Sequence, residues 1–352
     1  MIKKIIKKET KTIQVSLLAA IIFSLLLAGA SLAVGVVLIK IKLKVVGPDT
    51  ANLTSKNVFA ATKVDKPQLD FYVMSFCPYG NQMETTLRPI FDLLGNKVEI
   101  RPRYIFEKIE GNLADYCKTN YTVQYNVSQC PDLVKQYPDQ IKDVTDCKKQ
   151  IETMITQAVA GEKTCNDESK YLKIGNSLYT SLHGRVEANQ DVREICAYNL
   201  ATDKKLWWDF VKNVNDNCSS TNADTCWEEQ AKKAGLDTNK ITECFNKDAV
   251  SLIEKEIADT TKYKIQGSPT LMIGEQAFPP EVDAASTDQN IKIGNKVFSL
   301  SQVRTPDVIK EALCSGFNKA PKECKTVLTD PNAAATAAAG AAGAAAPAAG
   351  CQ

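Results

Sequence analysis

The chain has 352 residues, 44% of them hydrophobic, and a formal net charge of +2. That is enough chain for one large domain or two small ones with a sizeable core. Eight lysines and one glutamate give the first 44 residues +7, so the remainder carries −5. With no basic excess to release counterions, that remainder is not built to bind nucleic acid.

Lys3, Lys4, Lys7, Lys8 and Lys11 make residues 1–11 a basic N-terminus, and 28 uncharged residues follow from Thr12 to Ile39. A helix crossing a bilayer takes roughly 20 apolar residues, whereas a cleaved signal has an apolar core of about 7–15. The run continues past the small-residue stretches Ala28–Ala30 and Ser31–Ala33. Residues 12–39 therefore read as an uncleaved transmembrane anchor, with signal cleavage and secretion as the alternative. Five lysines precede the run and Lys40, Lys42 and Lys44 follow it, which favours the N-terminus inside. Both readings place the bulk of the chain outside the cytoplasm, the first of them at the cell membrane, with residues 40–66 as a stalk.

Residues 67–107 read as a β-α-β unit. Leu69–Phe76 is apolar on both faces, as a central strand should be. Cys77 follows, with Pro78 where a helix would begin. Met83, Leu87, Ile90 and Leu94 give one apolar helical face, Pro89 should kink it, and Gly95 ends it. Lys97–Ile105 is the next strand. Residues 108–262 are charged, cysteine-rich and helical. Their helix candidates are Val144–Ala160, Asn189–Leu200, Asp203–Val214, Asp224–Lys233, Asp237–Asn246 and Ala249–Thr261, with Asp203 and Asp237 as N-caps. Trp207, Trp208 and Trp227 are expected to anchor this part by packing. In residues 263–325 strand character returns at Gly267–Gly274 and Ile291–Leu300, before a helix over Pro306–Leu313. Residues 326–352 form an Ala-rich tail, with 13 alanines among positions 332–350 interrupted by glycine.

Twelve cysteines in an exported chain read as a disulfide framework. With Cys77 set apart as a reactive thiol and Cys351 as a tail residue, ten remain: Cys117, Cys130, Cys147, Cys165, Cys196, Cys218, Cys226, Cys244, Cys314 and Cys324. Five bridges are available, and Cys314 and Cys324 are close enough for a local pair. Spacing does not fix the rest. There are no two close C-x-x-C pairs and His183 is the single histidine, so neither a metal nor a cofactor is expected. Asn52, Asn120, Asn126 and Asn217 begin N-x-[ST] sequences, relevant in a host that glycosylates exported proteins.

The order of strand, Cys77-Pro78-Tyr79-Gly80, helix, strand, helical insertion and strand opening at Ser268-Pro269-Thr270 resembles the thioredoxin fold. It is most similar to members with an inserted helical domain, such as periplasmic disulfide-bond proteins. The segment "SLHGRVEANQDVREIC" is similar to the signature of the gamma-interferon-inducible lysosomal thiol reductase family, C-Q-H-G-x-x-E-C-x-x-N-x-x-x-x-C. His183, Gly184, Glu187 and Cys196 match it, while Ser181, Leu182, Ala188 and Asp191 depart from it. The resemblance implies a thioredoxin-like α/β fold with a large helical insertion, a cis peptide at Ser268–Pro269, and thiol–disulfide exchange with exported proteins or small thiols.

Such exchange needs a thiolate, and a helix N-terminus supplies about half a positive charge to stabilise one. The motif is a dithiol site with its second cysteine replaced by Gly80. Three readings follow. In the leading one, Cys77 works alone and an external thiol finishes the turnover. In the second, Cys351 resolves the mixed disulfide, since a tail of about 26 residues spans ~25–30 Å as a random coil. In the third, Cys77 is inert and the protein is a non-catalytic binding or chaperone-like module. His183 reads as a structural residue beside the Gly184 turn, with a base for Cys77 as its alternative.

Overall fold

The computed structural model describes residues 57–281, 289–329 and Cys351. The anchor expected at 12–39, the first part of the stalk and the tail from 330 to 350 lie outside these residues. No helix among the described residues is long and apolar enough to cross a membrane.

The described chain enters through β1 (Val58–Phe59) and reaches β2 (Gln68–Val73), α1 (Pro78–Leu94), β3 (Glu99–Tyr104) and β4 (Glu107–Lys108). Next come α2 (Leu113–Asn120), α3 (Cys130–Gln136), α4 (Val144–Cys165), β5 (Leu172–Ile174) and β6 (Ser177–Thr180). Four helices follow: α5 (Arg185–Leu200), α6 (Lys204–Asn217), α7 (Ala223–Lys233) and α8 (Thr238–Tyr263). The chain then forms β7 (Thr270–Ile273), β8 (Gln276–Phe278), β9 (Asn290–Ile293), β10 (Lys296–Ser299) and α9 (Pro306–Cys314).

The central sheet has the order β3-β2-β7-β8. β2 runs parallel to β3 and antiparallel to β7, and β8 returns antiparallel to β7. Parallel neighbours need a crossover, and α1 supplies it. This is a thioredoxin-like α/β fold with substantial helical content. β2 is buried at five of its six positions; four of these are Leu69, Phe71, Tyr72 and Val73, and the fifth, Asp70, is paired with Arg101 at 2.6 Å. α1 starts on Pro78, continues through Pro89 and stops at Gly95. The positive φ of Gly95 suits a residue without a Cβ.

Several elements differ from the sequence expectation. Asp237–Asn246 and Ala249–Thr261 are one helix, α8, because neither glycine nor proline interrupts Lys247 and Asp248. Ile291–Leu300 is a hairpin folded at Gly294-Asn295, and β9 pairs with β1 outside the central sheet. The insertion also holds a small sheet of order β4-β6-β5, whose strands of two to four residues are too short to carry a readable period.

The helices α5 to α8 share one core with the central sheet. Trp207 and Trp208 are buried, and the Trp208 ring stacks on Phe71 of β2 with centroids 5.8 Å apart. The tryptophans therefore join insertion and sheet. By contrast, Cys130, Ile141, Cys147 and Ile151 form a second, small core between α3 and α4.

Candidate active site around Cys77

Strand β2 ends at Val73, and Met74, Ser75 and Phe76 lead to Cys77 at the N-cap of α1. The Cys77 side chain makes no capping bond, and Pro78 holds the first helical position. The sulfur thus stands over a helix N-terminus, where unpaired N–H groups favour negative charge. Ser268–Pro269 is a cis peptide, and it brings β7 against the same point. The Ser268 Oγ accepts a bond from the Met74 N–H at 3.2 Å, and the Ser268 carbonyl oxygen lies 3.5 Å from the Cys77 Sγ.

All twelve cysteines are paired. Five bridges are Cys117–Cys165, Cys130–Cys147, Cys196–Cys244, Cys218–Cys226 and Cys314–Cys324. The sixth joins Cys77, which the leading sequence reading has acting alone, to Cys351, which the second reading has as its resolving partner, across a separation of 274 residues. Cys351 is also seated by its backbone. The Ser268 N–H donates to the Cys351 carbonyl at 2.8 Å, and the Cys351 N–H donates to the Ser268 carbonyl at 2.7 Å. This antiparallel bridge is one rung of strand pairing, the mode in which an extended peptide adds to a sheet edge. Cys77 is fully buried and Cys351 half-buried.

Gly80 has a steric reason. A Cβ there would sit 2.8 Å from the Ser268 Oγ and 3.4 Å from the Met74 carbonyl oxygen. Ser268 fills the space beside Gly80 that a side chain at this position would enter. Tyr79 of the motif is exposed.

Behind Cys77 lies a row the sequence reading did not assemble, although it named Glu187 as a signature match and Asp191 as a departure. Glu187, Asp191 and Glu194 are fully buried on α5, and their spacing of four and three residues places them on one helical face. The Asp191 Oδ1 accepts from both the N–H and the hydroxyl of Ser75, at 2.9 and 2.5 Å. Glu187 accepts from the Phe76 N–H at 2.8 Å and the His183 N–H at 2.7 Å, and its Oε1 lies 2.9 Å from the His183 Nδ1. Glu194 accepts from the Tyr104 hydroxyl and the Gln190 amide. Glu84 of α1 accepts from Asn215 at 2.6 Å. Burial, with the charge of Glu187, holds the Asp191 carboxyl well above its usual range. Burial, with the charge of Glu194, does the same to Glu84. Burial pushes Glu194 up to about 7 against three stabilising hydrogen bonds. His183 is placed as Glu187's partner. The missed signal was polar residues at i, i+4 and i+7 on a helix that also carries the apolar core positions Val192 and Ile195.

A cavity of about 890 Å³ opens beside the site, lined among others by Met74, Gln266, Tyr116, Tyr121, Tyr171 and His183. Among the described residues no cluster of ligating side chains could hold a metal ion.

Residues 106–286 match the vacuolar sorting receptor thioredoxin-like domain, about half of the chain. The chain belongs to the vacuolar sorting receptor thioredoxin-like family. The part matched to this family includes α5, its carboxyl row and the cis Pro269, while Cys77 and Cys351 fall outside it. No curated protein matches the sequence. Among solved structures, a putative protein disulfide isomerase from Nitrosomonas europaea is similar at 13% identity, covering 68% of this chain and 94% of its own, with a TM-score of 0.33. The cytosolic disulfide reductase DsbM from Pseudomonas aeruginosa is similar at 10% identity, covering 68% and 93%, with a TM-score of 0.33. A 2-hydroxychromene-2-carboxylate isomerase is similar at 12% identity, covering 60% and 87%, with a TM-score of 0.32.

Proposed function

We propose that the protein is an extracytoplasmic, membrane-anchored thiol–disulfide oxidoreductase in which Cys77 begins the exchange and Cys351 finishes it. The observation that carries this reading is the Cys77–Cys351 disulfide, held as a strand on Ser268 beside the cis Pro269. The Cys77 thiolate attacks one sulfur of a partner disulfide. A mixed disulfide forms, and the partner's other sulfur leaves as a thiolate that takes a proton from water. The Cys351 thiolate then attacks the Cys77 sulfur, and the partner's second thiolate leaves. The partner has gained two electrons, and this chain is left with the Cys77–Cys351 bond. A partner dithiol drives the same steps backwards and leaves oxidised. Cys351 thus takes the part that Gly80 cannot play. Exported proteins and small thiols are the partners proposed, and six disulfides support an oxidising compartment. Anchoring through residues 12–39 rests on the sequence.

A second reading is favoured by the complete burial of Cys77: the bridge is a permanent tether and the protein a binding or chaperone-like module. Trapping separates the two. Cys351→Ser should accumulate mixed disulfides with client proteins, and these should vanish when Cys77→Ser is added. If Cys351→Ser traps nothing and its Cys77 alkylates no faster than a model thiol, the module reading stands instead.

A further inference from the structure

The row on α5 is costly unless it has a use. Four carboxyl groups, those of Glu84, Glu187, Asp191 and Glu194, lie buried behind Cys77. Burying an ionised carboxylate without a counter-charge is strongly unfavourable. Tyr104 from β3, Asn215 from α6 and His183 from the loop before α5 face the row, and of these only His183 can carry a positive charge. The nearby arginines are taken up elsewhere: Arg103 by Glu256 and Asp259 of α8, and Arg193 by Asp224 of α7. From α8, Cys244 is bonded to Cys196, and Glu254 accepts from Lys108 of β4 and Tyr179 of β6.

Hydrogen bonding gives an independent sign of how the row is neutralised. The Asp191 Oδ2, the Glu84 Oε1 and the Gln190 Oε1 are buried oxygens with no donor. An ionised carboxyl only accepts, whereas a protonated one also carries an O–H, so a buried carboxyl oxygen with no donor suits the neutral form. The same row grips the segment entering Cys77. Asp191 holds both polar hydrogens of Ser75 and Glu187 holds the Phe76 N–H.

We propose that Asp191 and Glu187 are positioning residues for Cys77: they hold Ser75 and Phe76 in place, and new negative charge on Asp191 or Glu194 weakens Cys77 as a nucleophile. The relation to exchange rests on the function proposed above. The positioning itself does not, and it can be read without any client protein. New negative charge behind the site disfavours the thiolate of Cys77. It also burdens the fold, because groups that bind protons more tightly when folded stabilise the protein fully below the ordinary carboxylate range. That stabilisation is lost as pH rises, through about 7 for Glu194.

The test uses full-length protein carrying Cys351→Ser, so that Cys77 is free, and measures its alkylation rate from pH 4 to 9 alongside thermal unfolding. Asp191→Asn keeps an acceptor for Ser75 but cannot ionise, whereas Asp191→Ala removes the grip. With Asp191 intact, the rate should fall about tenfold or more below a single-thiol titration curve as Asp191 and Glu194 ionise, and the melting temperature should fall over the same range. Asp191→Asn should keep the acid-side rate and lose much of both declines, while Asp191→Ala should be slower at every pH. Glu194→Gln gives a second route if Asp191→Asn does not fold, and it should flatten the decline near neutrality. A single-thiol curve in all variants, or declines unchanged in both Asp191→Asn and Glu194→Gln, overturns the proposal. Failure to trap clients with an intact two-step profile overturns only the exchange function.

Discussion

Cys130–Cys147 closes a separation of 17 residues within a small core that it shares with Ile141 and Ile151, whereas Cys77–Cys351 spans 274 and joins a helix N-terminus to a C-terminal residue. Both sulfurs of the first bridge are buried among apolar side chains. The second has one half-buried sulfur, on Cys351, and backbone pairing of the kind a passing peptide could also make. Attack on a disulfide needs an accessible sulfur and a leaving group that is stable as a thiolate. Of these two bridges, only the second has a partly exposed cysteine, and its other sulfur stands over the N-terminus of the long helix α1. The contrast shows that identical bonds in one chain divide between a staple and a candidate redox centre, according to what surrounds each sulfur.

The sharpest way to break that contrast is to remove the sulfur proposed to react. Cys77→Ser should abolish disulfide exchange and client trapping altogether, with near-ultraviolet circular dichroism unchanged. Residual exchange would mean that another cysteine does the chemistry. The mirror experiment removes the staple. Cys130→Ala with Cys147→Ala should cost about 3 kcal/mol by the chain-entropy estimate for a loop of this size, read by denaturant unfolding. Exchange at Cys77 should not change, and a parallel loss would tie the two regions together.

A smaller effect sharpens the site itself. Gly80→Cys restores the dithiol motif in sequence, but its Cβ would fall 2.8 Å from the Ser268 Oγ. Overpacking of this kind costs about 1–3 kcal/mol. Ser268→Ala removes the obstructing oxygen, so the double variant should be less destabilised than the sum of the two. Ser268→Ala alone leaves the buried Met74 N–H without an acceptor, at about 1–3 kcal/mol. Simple additivity would show that Ser268 is not what keeps position 80 small.

How much of this could be read in the sequence varies with range. The thioredoxin-like unit was legible because its signals are local: a buried strand, Pro78 after Cys77, one apolar face on α1, and Ser268-Pro269 opening a strand. The Cys314–Cys324 pair was legible for the same reason. The seating of Cys351 was not, because nothing between Cys324 and Cys351 specifies where the tail ends; reach alone made it a candidate. The carboxyl row was missed because charged residues on a helix usually face solvent, and only the sheet packed against α5 turns Glu187, Asp191 and Glu194 inward. The joining of Asp237–Asn246 to Ala249–Thr261 had a local signal, the absence of a breaker, that the apolar pattern obscured.

The most direct test of the account is a redox titration of the folded protein, with each cysteine followed by differential alkylation and mass spectrometry. The account predicts that Cys77 and Cys351 become reactive together at the mildest reducing conditions, while the other ten cysteines stay bonded and the fold is retained. Opening of Cys77–Cys351 only together with the structural bridges, as the protein unfolds, would contradict it.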